Sequence, residues 1–505
     1  MKLFKQIINL EKSIVNYLEN LKIPFIYFIL TFFSLIVLRI FLEEFSDIDS
    51  IGIKLEIFLH LFLAFTALAI LIIFLFYLLT KTNIIKVSKV VLPSFVIILL
   101  PPILDLILSK GKGYNMAYMI PDIYNNLILR YFTFFGDFPG IGVTPGIKIE
   151  IAIVLLASFI YFYLKNHDSI KSLFYTFLFY TLLFWLAATP FLIKIVLEFI
   201  GLSYKYSEQL LSNFFLLLIL ITGIPLAYLI NKKNFKIIIK DIRPLRLTHF
   251  ILMFILGIIL GLNNSSFILN EINIFYFLFI PVSIIFAGIY SIITNNITDY
   301  EIDKISNKNR PLINSKINIK EYENLSWFFL FIALFYSAMV NFLTFFMILL
   351  CIGNYFLYSM FPLRLKRIPF FSKLIISLNS LILTMLGFVI ITGSINEFPK
   401  TIIVFFLLGF TAVINFIDIK DYKGDKKAGI KTLPVILGLK KAKLIIGLFF
   451  VLTYLSVYFI VKELYIIPLL FVFGITQFYL INKKDYNGKY VLLIYLLSLI
   501  LLILY

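Results

Sequence analysis

Runs of about twenty apolar residues, separated by short polar stretches, fill nearly the whole chain. Nearly every run is long enough to cross a hydrocarbon layer as a helix. Fifteen can be marked. Six lie near residues 22–42, 55–80, 86–109, 147–164, 172–199 and 208–230. Nine follow near 249–262, 273–294, 325–341, 343–360, 371–392, 400–417, 441–461, 463–482 and 488–505. Between the two sets lies a less apolar stretch, Asn231 to Thr248. It carries Lys232, Lys233, Lys236, Lys240, Arg243 and Arg246 against a single acid, Asp241. The pattern predicts an all-α polytopic membrane protein of about 15 transmembrane helices. Its expected parts are a six-helix module over 1–230, a basic cytoplasmic linker over 231–248, and a nine-helix domain over 249–505.

Composition agrees. Hydrophobic residues make up 61% of the 505 and charged residues 14%, against about 45–50% and about 25% in soluble domains. A net charge of +18 would suit nucleic acid, but here it reads as the positive-inside bias, so no nucleic-acid partner is expected. With the linker inside, the loops on its side hold Lys304, Lys308, Arg310, Lys316 and Lys320, then Arg364, Lys366, Arg367 and Lys373, then seven lysines from Lys420 to Lys441. The opposite loop Asn263–Ile272 has no positive charge. In the first half Lys81, Lys86 and Lys165 fall inside, and Glu43, Glu44, Asp47 and Asp49 outside. The N-terminus is therefore expected inside and the C-terminus outside, with the plasma membrane as the expected location. One cysteine, Cys351, and three scattered histidines argue against a disulfide framework and against a Cys- or His-rich metal site. The first residues lack the compact pattern of a cleaved signal peptide.

Two acidic clusters carry the chemistry. Asn295-Asn296-Ile297-Thr298-Asp299-Tyr300-Glu301-Ile302-Asp303 ends one apolar run, and Asp418, Asp421 and Asp425 end another. Spacings of three and four put each set on one helix face. Oxygen ligands gathered on one face suit Mg²⁺, above all when the ion also holds a diphosphate. Both clusters fall on the inner side, and carboxylates brought toward lipid are costly and usually functional.

At these residues the chain resembles the UbiA superfamily of intramembrane prenyltransferases. The resemblance covers about 236–505. It rests on Asn295 to Asp303 with Asn309-Arg310-Pro311 following, on Tyr358-Ser359-Met360-Phe361-Pro362-Leu363-Arg364-Leu365-Lys366, and on Asp418, Asp421 and Asp425 running on to Lys426-Lys427-Ala428-Gly429-Ile430-Lys431-Thr432-Leu433-Pro434. It implies a nine-helix bundle that moves a prenyl group from a prenyl diphosphate to a lipophilic acceptor within the membrane lipid. The acceptor is left open between a quinone or aromatic precursor, an ether lipid and a carotenoid. Asn295, Asp299, Asp303, Asp418, Asp421 and Asp425 are the implied Mg²⁺ ligands. Arg310 and Lys366, with Asn295 and Asn296, are candidates to hold the diphosphate. Tyr358 is the candidate π face for an allylic cation, and Asp425 or Glu301 could take the acceptor proton. One position departs from the pattern: Asn296 stands where the first motif usually has Asp. It keeps an oxygen but loses a charge, which weakens one ion site or shifts ligation to Asn295 and Asp299. That departure is what favours the alternative reading, a non-catalytic protein that binds or transports a lipid diphosphate.

Residues 1–230 lie outside the resemblance. The Pro101-Pro102 pair breaks or kinks a span, and Asp105 follows it in an apolar run, where an acid is a functional candidate. The loop beyond holds Lys110, Lys112, Asp122, Asn125, Asn126, Arg130 and Asp137, with turns at Pro139-Gly140 and Pro145-Gly146. Two roles stay open for this module: a scaffold or lipid-access element without chemistry, which is favoured, and a second membrane module acting on the same lipid before or after prenylation.

Overall fold

The computed structural model describes every residue except Met1, 48–51, 116–117, 119–126, 137–142, 307–309, 315, 428 and Tyr505. Asp49, Asp122, Asn125, Asn126, Asp137, the Pro139-Gly140 turn, Lys308, Asn309 and Ala428 therefore lie outside the described residues. Among those described, helix is the regular element throughout. Fourteen helices are long and apolar enough to cross a membrane, and Gly488–Ile503 is a shorter apolar one. The protein is an integral membrane protein. Contacts divide it into two compact units, Met1–Phe235 with Asn270–Ile272, and Lys236–Leu269 with Asn273–Tyr505.

In the first unit the apolar pattern marks the spans well but misses two features. Lys2–Asn20 is a helix ahead of the first span. It is too polar to span and packs along Ile84–Ser94 and Pro145–Asn166, tied down by Lys165 to Glu19 at 2.5 Å and Lys89 to the Leu21 carbonyl at 2.7 Å. The expected segment 172–199 is two helices, Ser169–Ala187 and Thr189–Phe199, with Pro190 in the first turn of the second.

Asp105 has a structural role in this unit. It is fully buried, accepting from the Thr144 hydroxyl at 2.5 Å and from the Gly146 amide at 2.7 Å. It so anchors the start of the Pro145–Asn166 helix. Only glycine fits at 146, where a Cβ would lie 2.6 Å from the Pro101 carbonyl oxygen. Asp105→Ala leaves two buried donors unpaired and is expected to cost about 2 kcal/mol, read as a lower midpoint of thermal unfolding in detergent. An unchanged midpoint would remove this anchor from the account.

The second unit is built around the crossing of Pro244–Leu262 with Pro369–Thr392. Small residues allow the backbones to meet there. A Cβ on Gly257 would sit 1.9 Å from the Thr384 carbonyl oxygen, and one on Gly387 2.0 Å from that of Phe254. Part of the expected linker is helix, Lys232–Asp241, and the next span already starts at Pro244. Pairs Tyr276–Thr298 with Ile319–Val340, and Leu439–Ser456 with Ile467–Asn482, complete the bundle with Phe342–Ser359 and Gly488–Leu504.

One span is irregular where the site needs it to be. Lys400–Lys427 begins as α-helix, widens to a π turn over Phe405–Phe410, tightens over Ile414–Ile417 and resumes as α-helix from Asp418. A widened turn loosens main-chain hydrogen bonds, and inside a membrane the freed carbonyls need partners. Ser377 and Thr411 (3.1 Å) both donate to the Phe406 carbonyl, and Thr453 donates to that of Gly409 at 3.3 Å. The helix then runs past its last apolar residue, so all three acids of the second cluster stand on a rigid element.

Candidate active site

The short helices Tyr300–Ser306 and Asp418–Lys427, which follow or carry the two acidic clusters, pack against each other at one end of the second unit. Between them opens a cavity of about 900 Å³. Asn295, Asp299 and Asp303 line it from one side, and Asp418, Asp421 and Asp425 from the other. Arg310, Tyr358 and Lys366 also line it. Away from the acids the wall turns apolar, with Ile284, Ile348, Ile352, Leu383, Phe410 and Phe450 among its residues. Along Tyr276–Thr298 the lining runs from Asp299 back to Ile284, a helix rise of about 22 Å.

Two predicted positions behave differently. Asn296 is 1% exposed and does not line the cavity. Its amide is turned the other way, donating to Asp241 at 2.6 Å and to the Tyr322 hydroxyl at 3.1 Å, while its oxygen accepts from Arg243 at 3.1 Å. Its oxygen is engaged there, not offered to a ligand. The residue that does reach the cavity is Asn295, held by the Ser359 hydroxyl at 3.2 Å. Glu301 is exposed and pairs with Lys304 at 2.8 Å, so of the two acids considered for the acceptor proton only Asp425 faces the cavity.

The cations are paired in a definite way. Lys366 donates to both oxygens of Asp299, at 2.6 and 2.7 Å, and Arg364 donates to one of them at 2.7 Å. Arg364 reaches it from a left-handed backbone, φ +45°, a conformation that costs a non-glycine residue about 1 kcal/mol. Burial disfavours the charge of Lys366 while Asp299 favours it, and burial has the larger effect. Lys373 donates to Asp418 at 2.6 Å. Arg310 lies 3.7 Å from Asp303 and 3.6 Å from Asp241.

The pattern reading of the sequence missed four of these side chains as site residues. Lys373 is buried in the first turns of an apolar span, and a lone lysine so placed was the available signal. Arg364 sits in a motif already noted. Arg243 and Arg246 were counted as linker charge, yet both line the cavity. Burial, then Arg246 and Arg310 as like charges, hold the pKa of Arg243 down at about 9. Arg246 is open to the cavity.

The donors fit Mg²⁺. They are hard oxygens, and the second oxygen of Asp418 is buried without a hydrogen bond among the described residues. No three acids or histidines there converge on one ion point. Mg²⁺ needs no such cage, since it is commonly held by one or two carboxylates together with substrate phosphates.

The model of the UbiA prenyltransferase family matches residues 250–500. The chain is 32% identical over 200 residues to digeranylgeranylglyceryl phosphate synthase of Sulfurisphaera tokodaii, covering 38% of this chain and 69% of that one. It is 30% identical over 223 residues to the enzyme of the same name from Thermococcus sibiricus, covering 44% and 75%. The chain belongs to the UbiA prenyltransferase family. Among solved structures, a UbiA homolog from Archaeoglobus fulgidus bound to GPP and Mg²⁺ matches at 22% identity, over 52% of this chain and 94% of that one, with a TM-score of 0.43. The same homolog is known bound to DMAPP and Mg²⁺. Apart from Asn270–Ile272 the UbiA match lies within the second unit, and the cavity is lined by residues of that unit.

Proposed function

We propose that the second unit transfers a geranylgeranyl group from its diphosphate to a glycerol-phosphate lipid, with Mg²⁺. The observation that carries this reading is the joining of both acidic clusters, an apolar groove and a ring of cations in one cavity. Asn295, Asp299, Asp303, Asp418, Asp421 and Asp425 would hold Mg²⁺, which when bound neutralises the diphosphate and stabilises it as a leaving group. Lys366 and Arg310 bind the diphosphate oxygens. The bond from the first prenyl carbon to oxygen breaks with its electron pair on the diphosphate, leaving an allylic cation. Tyr358 presents its ring to that cation, and the apolar wall keeps water away. A lone pair of the acceptor hydroxyl forms the new carbon–oxygen bond, and Asp425 takes the hydroxyl proton.

The acceptor class is favoured by charge. Among the described residues the cavity is lined by seven cationic side chains, Arg243, Arg246, Arg310, Lys366, Lys373, Lys420 and Lys489, against five carboxylates. Two Mg²⁺ and one prenyl diphosphate add no net negative charge, so the excess persists. A phosphate monoester, at about −1.5 to −2, fits it; a neutral phenol or carotenoid end does not. Arg246 makes no hydrogen bond or ion pair with another side chain among the described residues and is the proposed acceptor-phosphate ligand. The relatives' names describe a phosphate lipid of this kind. On this reading both acidic clusters work at the cytoplasmic face, which the charge asymmetry of the loops supports. Asn296 does not line the cavity, so its lack of charge lends no support to a non-catalytic binder.

The test is product formation from geranylgeranyl diphosphate with a glycerol-phosphate monoether, beside 4-hydroxybenzoate. Arg246→Gln is expected to raise the KM for the phosphate lipid about 10-fold or more, matching the worth of a hydrogen bond to a charged group, and to leave the KM for the donor unchanged. Turnover of the phenol in preference to the phosphate lipid would overturn the acceptor assignment.

A further inference from the structure

Asp241 is the one acid of the basic stretch 231–248, and it is buried. One of its oxygens accepts from the amide of Asn296 at 2.6 Å and from the hydroxyl of Tyr322, a fully buried residue. The other lies 3.6 Å from Arg310. Arg310 in turn lies 3.7 Å from Asp303, and both of those line the cavity. Asp241 itself does not line it. A chain of contacts thus runs from Asn296, behind the first acidic cluster, through Asp241 to a cation and a carboxylate that face the cavity.

The residue types are complementary in one sense only. The Asn296 amide can donate to a carboxylate at 241, and its oxygen can accept from Arg243 at 3.1 Å. An acid at 296 would set two carboxylates at hydrogen-bond distance from each other, where both cannot stay ionised without large cost. An amide at 241 would take away the charge that faces Arg310. We infer that Asp241 is a positioning residue paired with Asn296: through Arg310 it sets the place of Asp303, and through Asn296 it fixes the end of the helix that carries the first cluster. The inference rests on the prenyl-transfer reading for its effect on activity, and on geometry alone for the pairing.

The pairing is tested by exchange. The full chain is reconstituted as wild type, Asn296→Asp, Asp241→Asn and the double variant Asn296→Asp/Asp241→Asn. Thermal unfolding without substrate gives one readout, and kcat and KM for geranylgeranyl diphosphate give the other. Each single variant is expected to lower the unfolding midpoint and to raise the donor KM about 10-fold, Asn296→Asp by repulsion and Asp241→Asn by release of Arg310. The double variant restores one amide and one carboxylate in contact and is expected to recover the unfolding midpoint, while its donor KM stays raised because the charge facing Arg310 is still gone. A double variant whose midpoint is no better than the two single effects combined overturns the inference, as do single variants indistinguishable from wild type. Should either single variant fail to fold, recovery of a folded double variant supports the exchange and its absence overturns it. A wild type without transferase activity would sink the functional reading, and the unfolding cycle would still decide the pairing.

Discussion

Asp299→Asn and Asp421→Asn are each expected to cut Mg²⁺-dependent diphosphate release by about 10²–10³-fold, the usual loss when one preorganised charge aimed at the transition state is removed. The two substitutions act alike on chemistry and differently on stability. Asp299 is held by Lys366 and Arg364, both mostly buried, so neutralising it leaves two cations without their carboxylate. Among the described residues Asp421 has an ion pair only with Lys420, at 3.9 Å and well exposed, and an exposed pair of that length contributes little. Asp299→Asn should therefore unfold earlier than wild type in the absence of metal, and Asp421→Asn should not. Equal loss of turnover with unequal loss of stability is the signature of paired clusters that work on the diphosphate. Turnover that merely followed the unfolding midpoint would mean that the acids hold the fold and do not do the chemistry.

The sequence made much of this site legible because the bilayer makes polar residues expensive. Asp299, Asp303, Asp418 and Asp421 stand out since an apolar run ends on them, and the same contrast marks the spans. It fails where polarity is ordinary. Within the stretch 231–248 a lone acid among six cations looks like surface charge, and only the fold shows Asp241 buried beside Asn296. Arg243 and Arg246 were hidden for the same reason: the helix starts at Pro244, earlier than the apolar run, and turns them into the cavity. Asn296 shows the opposite failure. Spacing put it on the acidic face, but neighbouring positions on a helix point about 100° apart, and of the two only Asn295 lines the cavity. Periodicity could not say which; the partners Ser359 and Asp241 decide it. Asp105, singled out by its setting, is used up by Thr144 and Gly146.

Gly387→Val is expected to destabilise the second unit by about 3 kcal/mol, at the upper end of overpacking effects. At this crossing even one added carbon would meet the Phe254 carbonyl oxygen at 2.0 Å, and the Ile258 nitrogen at 2.8 Å. Those are main-chain atoms of the facing helix, so no rotamer change relieves the clash and the helices must part. The cost reaches the site through His249, which bonds Ser380 at 2.9 Å across the same pair of helices and stacks on Phe410 in the π turn. Spreading the crossing pulls on that turn, and through it on the helix that carries Asp418. The expected result is a lower unfolding midpoint together with a raised Mg²⁺ requirement for diphosphate release in the protein that remains folded. Gly353→Val serves as the control, because nothing lies within 4 Å of a Cβ there. If Gly387→Val and Gly353→Val proved equally stable, close backbone approach would not be what holds this bundle, and the geometry of the second acidic cluster would need another source.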